Sequence, residues 1–157
     1  MSTQKDNMAL LSVWTNVSKT LKKDPEFIYF YVNFLITNNE QQQAEIILRQ
    51  SIKKKWHGSL IELYGRLNNI DINKQLKFTE SFIKVHPNSA SLYQALGIIS
   101  KILQLWGKSK SYLEKSAKLQ PATKTYLELG ELYRQLNDEP SACTAFKNGL
   151  QIAMNKP

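Results

Sequence analysis

Basic side chains are the residues of this chain best suited to binding a ligand. Lys101, Lys124 and Arg134 fall in one stretch of the sequence. An arginine there could pair with a carboxylate through two hydrogen bonds, and a lysine could add a point charge. The formal net charge of +8 also favours anionic partners in general. We predict a seat for a carboxylate, and the competing interpretation is a set of solvated charges at the edge of a groove.

Residue sets that carry out catalysis are missing from the sequence. Paired carboxylates, a nucleophile with its base and a phosphate-binding loop do not occur at the spacing that their chemistry needs. Cys143 is the only cysteine, so an internal disulfide is excluded and no metal-ligand spacing arises. Its position beside Ala142 favours packing in the core or at its edge. We predict a protein that is not an enzyme and holds no metal.

Tryptophans and lysines together could suggest that single-stranded nucleic acid stacks on this protein. The helical spacing of Trp14, Trp56 and Trp106 favours core positions instead. The lysines are scattered over many predicted helices, and the longest basic run, 53–55, lies at a predicted helix end, where cations complement the helix dipole. We therefore expect no nucleic-acid partner.

A signature of tyrosine, leucine and glycine occurs twice in the second half of the chain, and all three of its residues recur at one fixed interval. The later copy has the spacing of a tetratricopeptide repeat (TPR), a pair of packed helices, with Tyr in place of the first Trp. Each glycine needs a packing reason, since glycine costs about 1 kcal/mol relative to alanine inside a helix. We predict that neighbouring helices approach closely there. The repeat-packing residues are Tyr93, Leu96, Gly97 and Leu113 in the first copy, and Tyr126, Leu129, Gly130, Tyr133, Ala142 and Phe146 in the second.

Capping residues and apolar periodicity extend this register along the chain. An unpaired helix is predicted over 8–21, after which Asp24 is a natural N-cap with Pro25 at the first helical position. We predict an all-α fold, a tetratricopeptide-like α-α superhelix of about four helix pairs preceded by one unpaired helix. Residues 1–6 are predicted to be disordered and 7–157 to form a single domain, with repeats at about 25–55, 56–87, 90–121 and 123–154.

The second helices of the predicted pairs align at Ala44, Gln75, Ser109 and Ala142, so the repeat period is nearly constant along the chain. The opening and closing helices carry apolar residues outside their main stripe, whereas stacked repeats need polar caps at both ends. We expect a piece of a longer array, or an array that a partner closes.

The stretch from Trp56 to Gly149 carries a more specific pattern than a generic repeat. A Leu-Trp-Gly-Lys block at 105–108 is followed by Tyr-Leu-Glu at 112–114. In these motifs the chain resembles the C-terminal TPR domain of the HemY family, haem-biosynthesis-associated inner-membrane proteins of Gram-negative bacteria. Ser109 stands where that family often has alanine, which leaves the small-residue packing role intact.

The resemblance implies a scaffold for protein–protein interaction: the soluble TPR part, facing the cytoplasm, of a protein anchored in the bacterial inner membrane. The expected partners are proteins, in particular tetrapyrrole-pathway enzymes, and the membrane is reached only through segments outside this chain. An unrelated flavin-dependent oxidase shares the name, but the six glycines never form the dinucleotide-binding turn that it needs. A free-standing cytoplasmic TPR chaperone or adaptor, and a haem or porphyrin carrier, stay open as alternatives.

A haem association would make the two histidines candidate axial ligands. Neither belongs to a Cys-x-x-Cys-His attachment motif. His86 precedes Pro87 at a predicted helix end, where capping of the last carbonyl groups is the commoner role, and His57 follows Trp56 near a predicted groove position. We expect no cofactor, with haem as the alternative.

The first helices of successive TPR pairs line a groove in which such proteins hold their partners. Lys101, Lys124 and Arg134 would cluster in the C-terminal half of this groove. The Asn and Lys pattern of the known carboxylate-clamp repeats is incomplete. The groove positions that the register selects are Tyr29, Asn33, His57, Tyr64, Gln94, Lys101, Lys124, Glu131 and Arg134.

Overall fold

The computed structural model describes residues 8–9, 12–68 and 70–155. Regular secondary structure in these ranges is helical throughout, which confirms the predicted all-α fold. The chain divides into two compact units, Met1–Ile70 and Asp71–Pro157. Their boundary falls within the repeat predicted at 56–87, the least regular of the predicted copies. The segment predicted to be disordered, 1–6, lies outside the described residues.

After the 3-10 helix described below, the first unit continues with α1 (Pro25–Thr37), α2 (Gln41–Lys54) and α3 (Gly58–Tyr64). The Asp24 side chain accepts a hydrogen bond from the backbone N–H of Glu26, and Pro25 occupies the first turn, so the predicted N-cap is confirmed. Helix α1 packs against both α2 and α3. The core of this unit consists of Ile28, Val32, Leu35, Ala44, Leu48, Ile52, Leu60 and Tyr64.

The unpaired helix predicted over 8–21 is shorter in the structure than expected. Helical backbone covers 8–9 and 12–16, with residues 10 and 11 outside the described part, so the helix ends at 16 rather than at 21, and a separate 3-10 helix spans Leu21–Lys23. Trp14 attaches this segment to α1, because its ring stacks on Tyr31 with 4.4 Å between centroids. The segment is therefore held by aromatic contact rather than by a second helix of its own.

The second unit contains, among its described residues, α4 (Ile72–Glu80), α5 (Ala90–Ile102), α6 (Trp106–Leu119), α7 (Thr123–Gln135) and α8 (Glu139–Met154). The pairs α5–α6 and α7–α8 pack most extensively, and α6 also packs against α7. Helix α4 ends at Glu80, and the chain then turns over 81–85 on the way to Pro87. No helix among the described ranges is long and apolar enough to cross a membrane.

The same tight turn closes three of the helix pairs. Asn39, Gln104 and Asn137 adopt left-handed backbone conformations, with φ of 62°, 57° and 59°. In each turn the N–H of the following residue donates to a carbonyl in the last turn of the preceding helix, at 2.8 or 2.9 Å. This bond satisfies a carbonyl left open at the helix end and sets the direction of the next helix. The pairs that it joins are α1–α2, α5–α6 and α7–α8.

Glycine lets α5 and α7 approach the helix that follows each of them. A Cβ atom added at Gly97 would lie 2.5 Å from Cγ of Leu113, and one added at Gly130 would overlap the ring of Phe146. Ser109, which is buried, donates its hydroxyl to the carbonyl of Gly97 at 2.8 Å. The two pairs therefore share one packing register, and the step from Gly97 to Gly130 is the interval at which the sequence signature recurs.

Candidate binding site

The first unit contains a pocket of about 700 Å³, which we name the lysine-rimmed pocket. Its described lining includes lysines but no carboxylate, although the chain has 13 acidic residues. The apolar lining is Trp14, Pro25, Ile28, Ile46, Ile47 and Leu60. The polar lining is Lys19, Lys22, Lys23, Lys54 and Lys55, with Gln43, Gln50 and Ser51.

The helix hairpin explains why these lysines meet. Lys22 and Lys23 lie in the 3-10 helix that leads into α1, and Lys54 and Lys55 lie at the end of α2. Because α1 and α2 are joined by a tight turn, the start of one helix lies beside the end of the other. The pattern in the sequence is thus two basic clusters flanking one hairpin.

Trp14 and Lys22 shape one wall of the pocket. Nζ of Lys22 donates to the carbonyl of Thr15 at 3.3 Å and lies 5.6 Å from the centre of the Trp14 ring. The Trp14 ring stacks on Tyr31, and Phe27 lies nearly parallel to it with 6.1 Å between ring centres. An apolar group of a ligand could rest on this wall while anionic groups reach the lysines at the rim.

Two residues of the predicted groove are buried, so the prediction that they line a binding surface was wrong. Tyr64 is 0% exposed and packs in the core of the first unit, where burial, followed by the charge of Glu45, raises its pKa. Gln94 is 3% exposed and donates its Nε2 hydrogen to Thr125 at 3.1 Å. The repeat register selected these positions, but other parts of each unit cover both side chains.

Lys101 is also unavailable to a partner's carboxylate in this structure. Its Nζ lies 2.5 Å from a carboxylate oxygen of Glu128 and 3.0 Å from one of Glu131. Burial alone would lower the pKa of Lys101, but these two carboxylates more than offset it and raise that pKa. Lys124 and Arg134 are exposed at opposite ends of α7. The predicted carboxylate seat of three cations is therefore not assembled.

The remaining groove residues are partly or fully exposed and stay predictions. Tyr29 packs edge-on against Phe30, and Asn33 donates its amide to the carbonyl of Tyr29 at 3.0 Å. His57 is exposed, with Nδ1 2.8 Å from the hydroxyl oxygen of Ser59. These positions leave contact with a partner open without indicating what it is.

Two other candidate residues have unremarkable surroundings. The ring of His86 lies 6.4 Å from that of Phe82, between ring centres. Cys143 is exposed, so the expectation that it packs in or near the core was wrong. It follows buried Ala142 by one residue, and one step along an α-helix turns the side chain about 100° toward solvent. The described residues hold no group of three or more His, Cys, Asp or Glu side chains that could bind a metal.

Solved structures of MamA share this fold. One, from residue 41 to the end of MamA of Desulfovibrio magneticus RS-1, has a TM-score of 0.60 and 18% identity, over 85% of this chain and 78% of that one. The MamA RS-1 ArsTM double mutant has a TM-score of 0.59 and 19% identity, over 96% and 88% of the two chains. MamA MSR-1 C2 has a TM-score of 0.59 and 12% identity, over 98% and 90%. These likenesses show a TPR-like, all-helical fold.

Comparison of the amino-acid sequence with known families and curated proteins gave no match. No protein-family model matches the chain, and no curated protein matches it.

Proposed function

We propose that this chain is a non-enzymatic protein-interaction module that captures an acidic segment of a partner protein in the lysine-rimmed pocket. The observation that carries the proposal is an apolar floor bordered by five lysines, with no carboxylate among the described lining residues. The TPR-like fold supports it as a frame built of stacked helix pairs that expose large surfaces.

The chemistry of the pocket specifies the segment. Exposed lysine–carboxylate pairs each contribute only about 0–1 kcal/mol, so charge alone would give weak binding. An apolar side chain that covers Trp14 and Ile28 adds the burial that the charges lack. The partner segment is therefore an apolar residue flanked on both sides by Asp or Glu.

Calorimetry with a short peptide tests this proposal. The peptide has one leucine between pairs of glutamates, and two matched peptides replace either the leucine with serine or the glutamates with glutamine. We expect the parent peptide to bind, both replacements to weaken binding, and affinity to fall as salt rises. Equal affinity for all three peptides, or binding by none, would contradict the proposal.

A pair of charge reversals locates the site. Lys23→Glu with Lys54→Glu should weaken peptide binding at least about tenfold, since two attractions become repulsions. Lys84→Glu with Lys147→Glu makes the same change in net charge at exposed lysines of the second unit and should have little effect. Equal losses in both variants would mean that overall charge, and not the pocket, attracts the peptide.

The HemY resemblance gives a more specific form of the proposal. In that form the acidic segment belongs to a tetrapyrrole-pathway enzyme, and the full-length protein is anchored in the bacterial inner membrane. The support is the block at 105–108 with the motif at 112–114. A pull-down from native cell extract should enrich such enzymes with the parent chain and lose them with the Lys23 and Lys54 variant. Enrichment of unrelated unfolded clients would favour the chaperone or adaptor alternative.

A haem or porphyrin carrier is the remaining alternative, and the exposure of His57 leaves it testable. A haem titration with no change in the Soret band, or a change that His57→Ala does not alter, would exclude ligation by this residue.

A further inference from the structure

We infer that a second pocket, separate from the lysine-rimmed one, binds a tyrosine side chain of a partner protein. This Tyr126 pocket lies among α6, α7 and α8 and has a volume of about 510 Å³. Tyr126, Leu129, Ala117 and Ala145 supply its apolar lining, and Glu114 lines it as the carboxylate. The preceding repeat indicates the occupant, because there a tyrosine of the chain itself fills the matching space.

The register between the two repeats is fixed by packing. Gly97 meets Leu113 as Gly130 meets Phe146, so α5–α6 corresponds to α7–α8, and Tyr126 corresponds to Tyr93. The second helices α4 and α6 align through Gln75 and Ser109, which are both buried. The same offset makes Glu114 the counterpart of Glu80.

In the earlier repeat the space beside Tyr93 is occupied from within the chain. The ring of Tyr112 lies 6.0 Å from that of Tyr93, and its hydroxyl donates to Oε1 of Glu80 at 3.3 Å. Nζ of Lys115 donates to the hydroxyl of Tyr93 at 2.7 Å and lies 4.0 Å from the ring centre. Tyr112 thus contacts the ring of Tyr93 and the carboxylate of Glu80 at the same time.

The later repeat keeps the ring and the carboxylate but replaces the residues that filled the space. Ala145 stands at the position of Tyr112, and Asn148 at that of Lys115. Both line the Tyr126 pocket. Glu114 accepts a hydrogen bond from the hydroxyl of Tyr133 at 2.8 Å, and a carboxylate has capacity for further donors. The pocket therefore lies beside Ala145, the counterpart of Tyr112, and Tyr133 of the chain uses only part of the hydrogen-bonding capacity of Glu114.

The charges around the pocket disfavour a cation as its occupant. Lys118 lines the pocket, and Nζ of Lys110 lies 3.9 Å from Oε1 of Glu114. The first turn of α8, at Pro140 and Ser141, adds the positive end of a helix dipole. A lysine side chain would be repelled by these groups, whereas a carboxylate would be attracted by the lysines and repelled by Glu114, so charge does not select a carboxylate clearly. A tyrosine meets Tyr126 with its ring and Glu114 with its hydroxyl.

The test is a chemical-shift titration of the whole chain with p-cresol, toluene and n-butylamine as probes of tyrosine, phenylalanine and lysine side chains. We expect saturable shifts at Tyr126, Leu129 and Ala145 with p-cresol, binding of toluene about three- to tenfold weaker, and no saturable shift with butylamine. The absence of saturable p-cresol shifts, or preference for butylamine or toluene, would overturn the inference.

Two variants locate the contacts. Ala145→Tyr restores the residue of the earlier repeat and should abolish p-cresol binding, whereas Gln151→Tyr at an exposed position of the same helix should not. Glu114→Gln leaves the apolar lining intact, and it should weaken p-cresol while leaving toluene unchanged. Undiminished p-cresol binding in both Ala145→Tyr and Glu114→Gln would overturn the inference, and the exposed Glu114 supplies a variant that folds even if Ala145→Tyr does not.

Discussion

The pairs α5–α6 and α7–α8 share a backbone but differ in what their surfaces contact. Both have the left-handed turn residue and a glycine under a large side chain. In the first pair, Gln94 and Lys101 bond to residues of α7. Their counterparts one repeat later, Leu127 and Arg134, are exposed. A few packing residues thus set the repeat. The side chains at two equivalent surface positions bond to other residues of the chain in one copy and are exposed to solvent in the next.

The largest difference between the two pairs should appear on shortening the residue over each glycine. Leu113 is 0% exposed, so Leu113→Ala should lower the free energy of unfolding by about 2–5 kcal/mol. Phe146 is only half-buried, and Phe146→Ala should cost less. Urea denaturation measures both, and a larger loss for Phe146→Ala would contradict the assignment of the tighter core to α5–α6.

Adding a methyl group at the glycines gives the next largest effect. At Gly97 the new Cβ would also lie 3.3 Å from the backbone nitrogen of Leu113, whereas at Gly130 its three nearest contacts are all in the ring of Phe146, a half-buried side chain. We expect Gly97→Ala to destabilise by about 1–3 kcal/mol and Gly130→Ala by less. Gly107→Ala is the control, since its Cβ would meet nothing within 4 Å, and a loss there as large as at Gly97 would refute the close-approach explanation.

Removing the two equivalent cations separates an internal contact from a free one. Lys101→Ala leaves Glu128, whose side chain is 18% exposed, without its partner and should cost about 1–2 kcal/mol. Arg134→Ala should change the free energy of unfolding by less than about 0.5 kcal/mol. Thermal unfolding compares the two, and equal effects would show that the bonds of Lys101 contribute nothing beyond its packing.

The smallest effect concerns the pKa values of two tyrosines, each of which donates a hydrogen bond to one of two equivalent glutamates. Burial, followed by Glu80, raises the pKa of Tyr112, and burial, followed by Glu114, raises that of Tyr133 to about 12. A raised pKa contributes stability that is complete below the unfolded value of about 10 and is lost as pH rises through the folded value. Tyrosinate absorbance should therefore show Glu114→Gln lowering the pKa of Tyr133 alone, and a matching change at Tyr112 would contradict separate contacts.

Capping residues and prolines made most helices predictable from the sequence. Asp24 with Pro25 set the start of α1, and the repeat predicted at about 90–121 matches α5 and α6, because a proline at 121 closes the pair. The signature glycines indicated close helix packing for a similar reason, since a mid-helix glycine is costly without it.

The candidate binding surface was less accessible to prediction because it depends on contacts between distant residues. Counting helical positions placed Tyr64 and Gln94 in a groove, but their neighbours bury them. Lys23 and Lys54 are far apart in sequence, and only the α1–α2 hairpin brings them to one pocket. The basic run at 53–55 was interpreted as a helix-end feature, which describes its local environment but omits the second cluster across the hairpin.

In the proposed function an acidic segment binds the lysine-rimmed pocket rather than the predicted groove. Its most direct test is an NMR titration of the labelled chain with the leucine–glutamate peptide, following the indole N–H of Trp14 and the backbone amides of Lys124 and Arg134. We expect saturable shifts at Trp14 and around Lys54, with none at Lys124 or Arg134. Shifts confined to Lys124 and Arg134 would show that the peptide binds at α7 and not in the lysine-rimmed pocket.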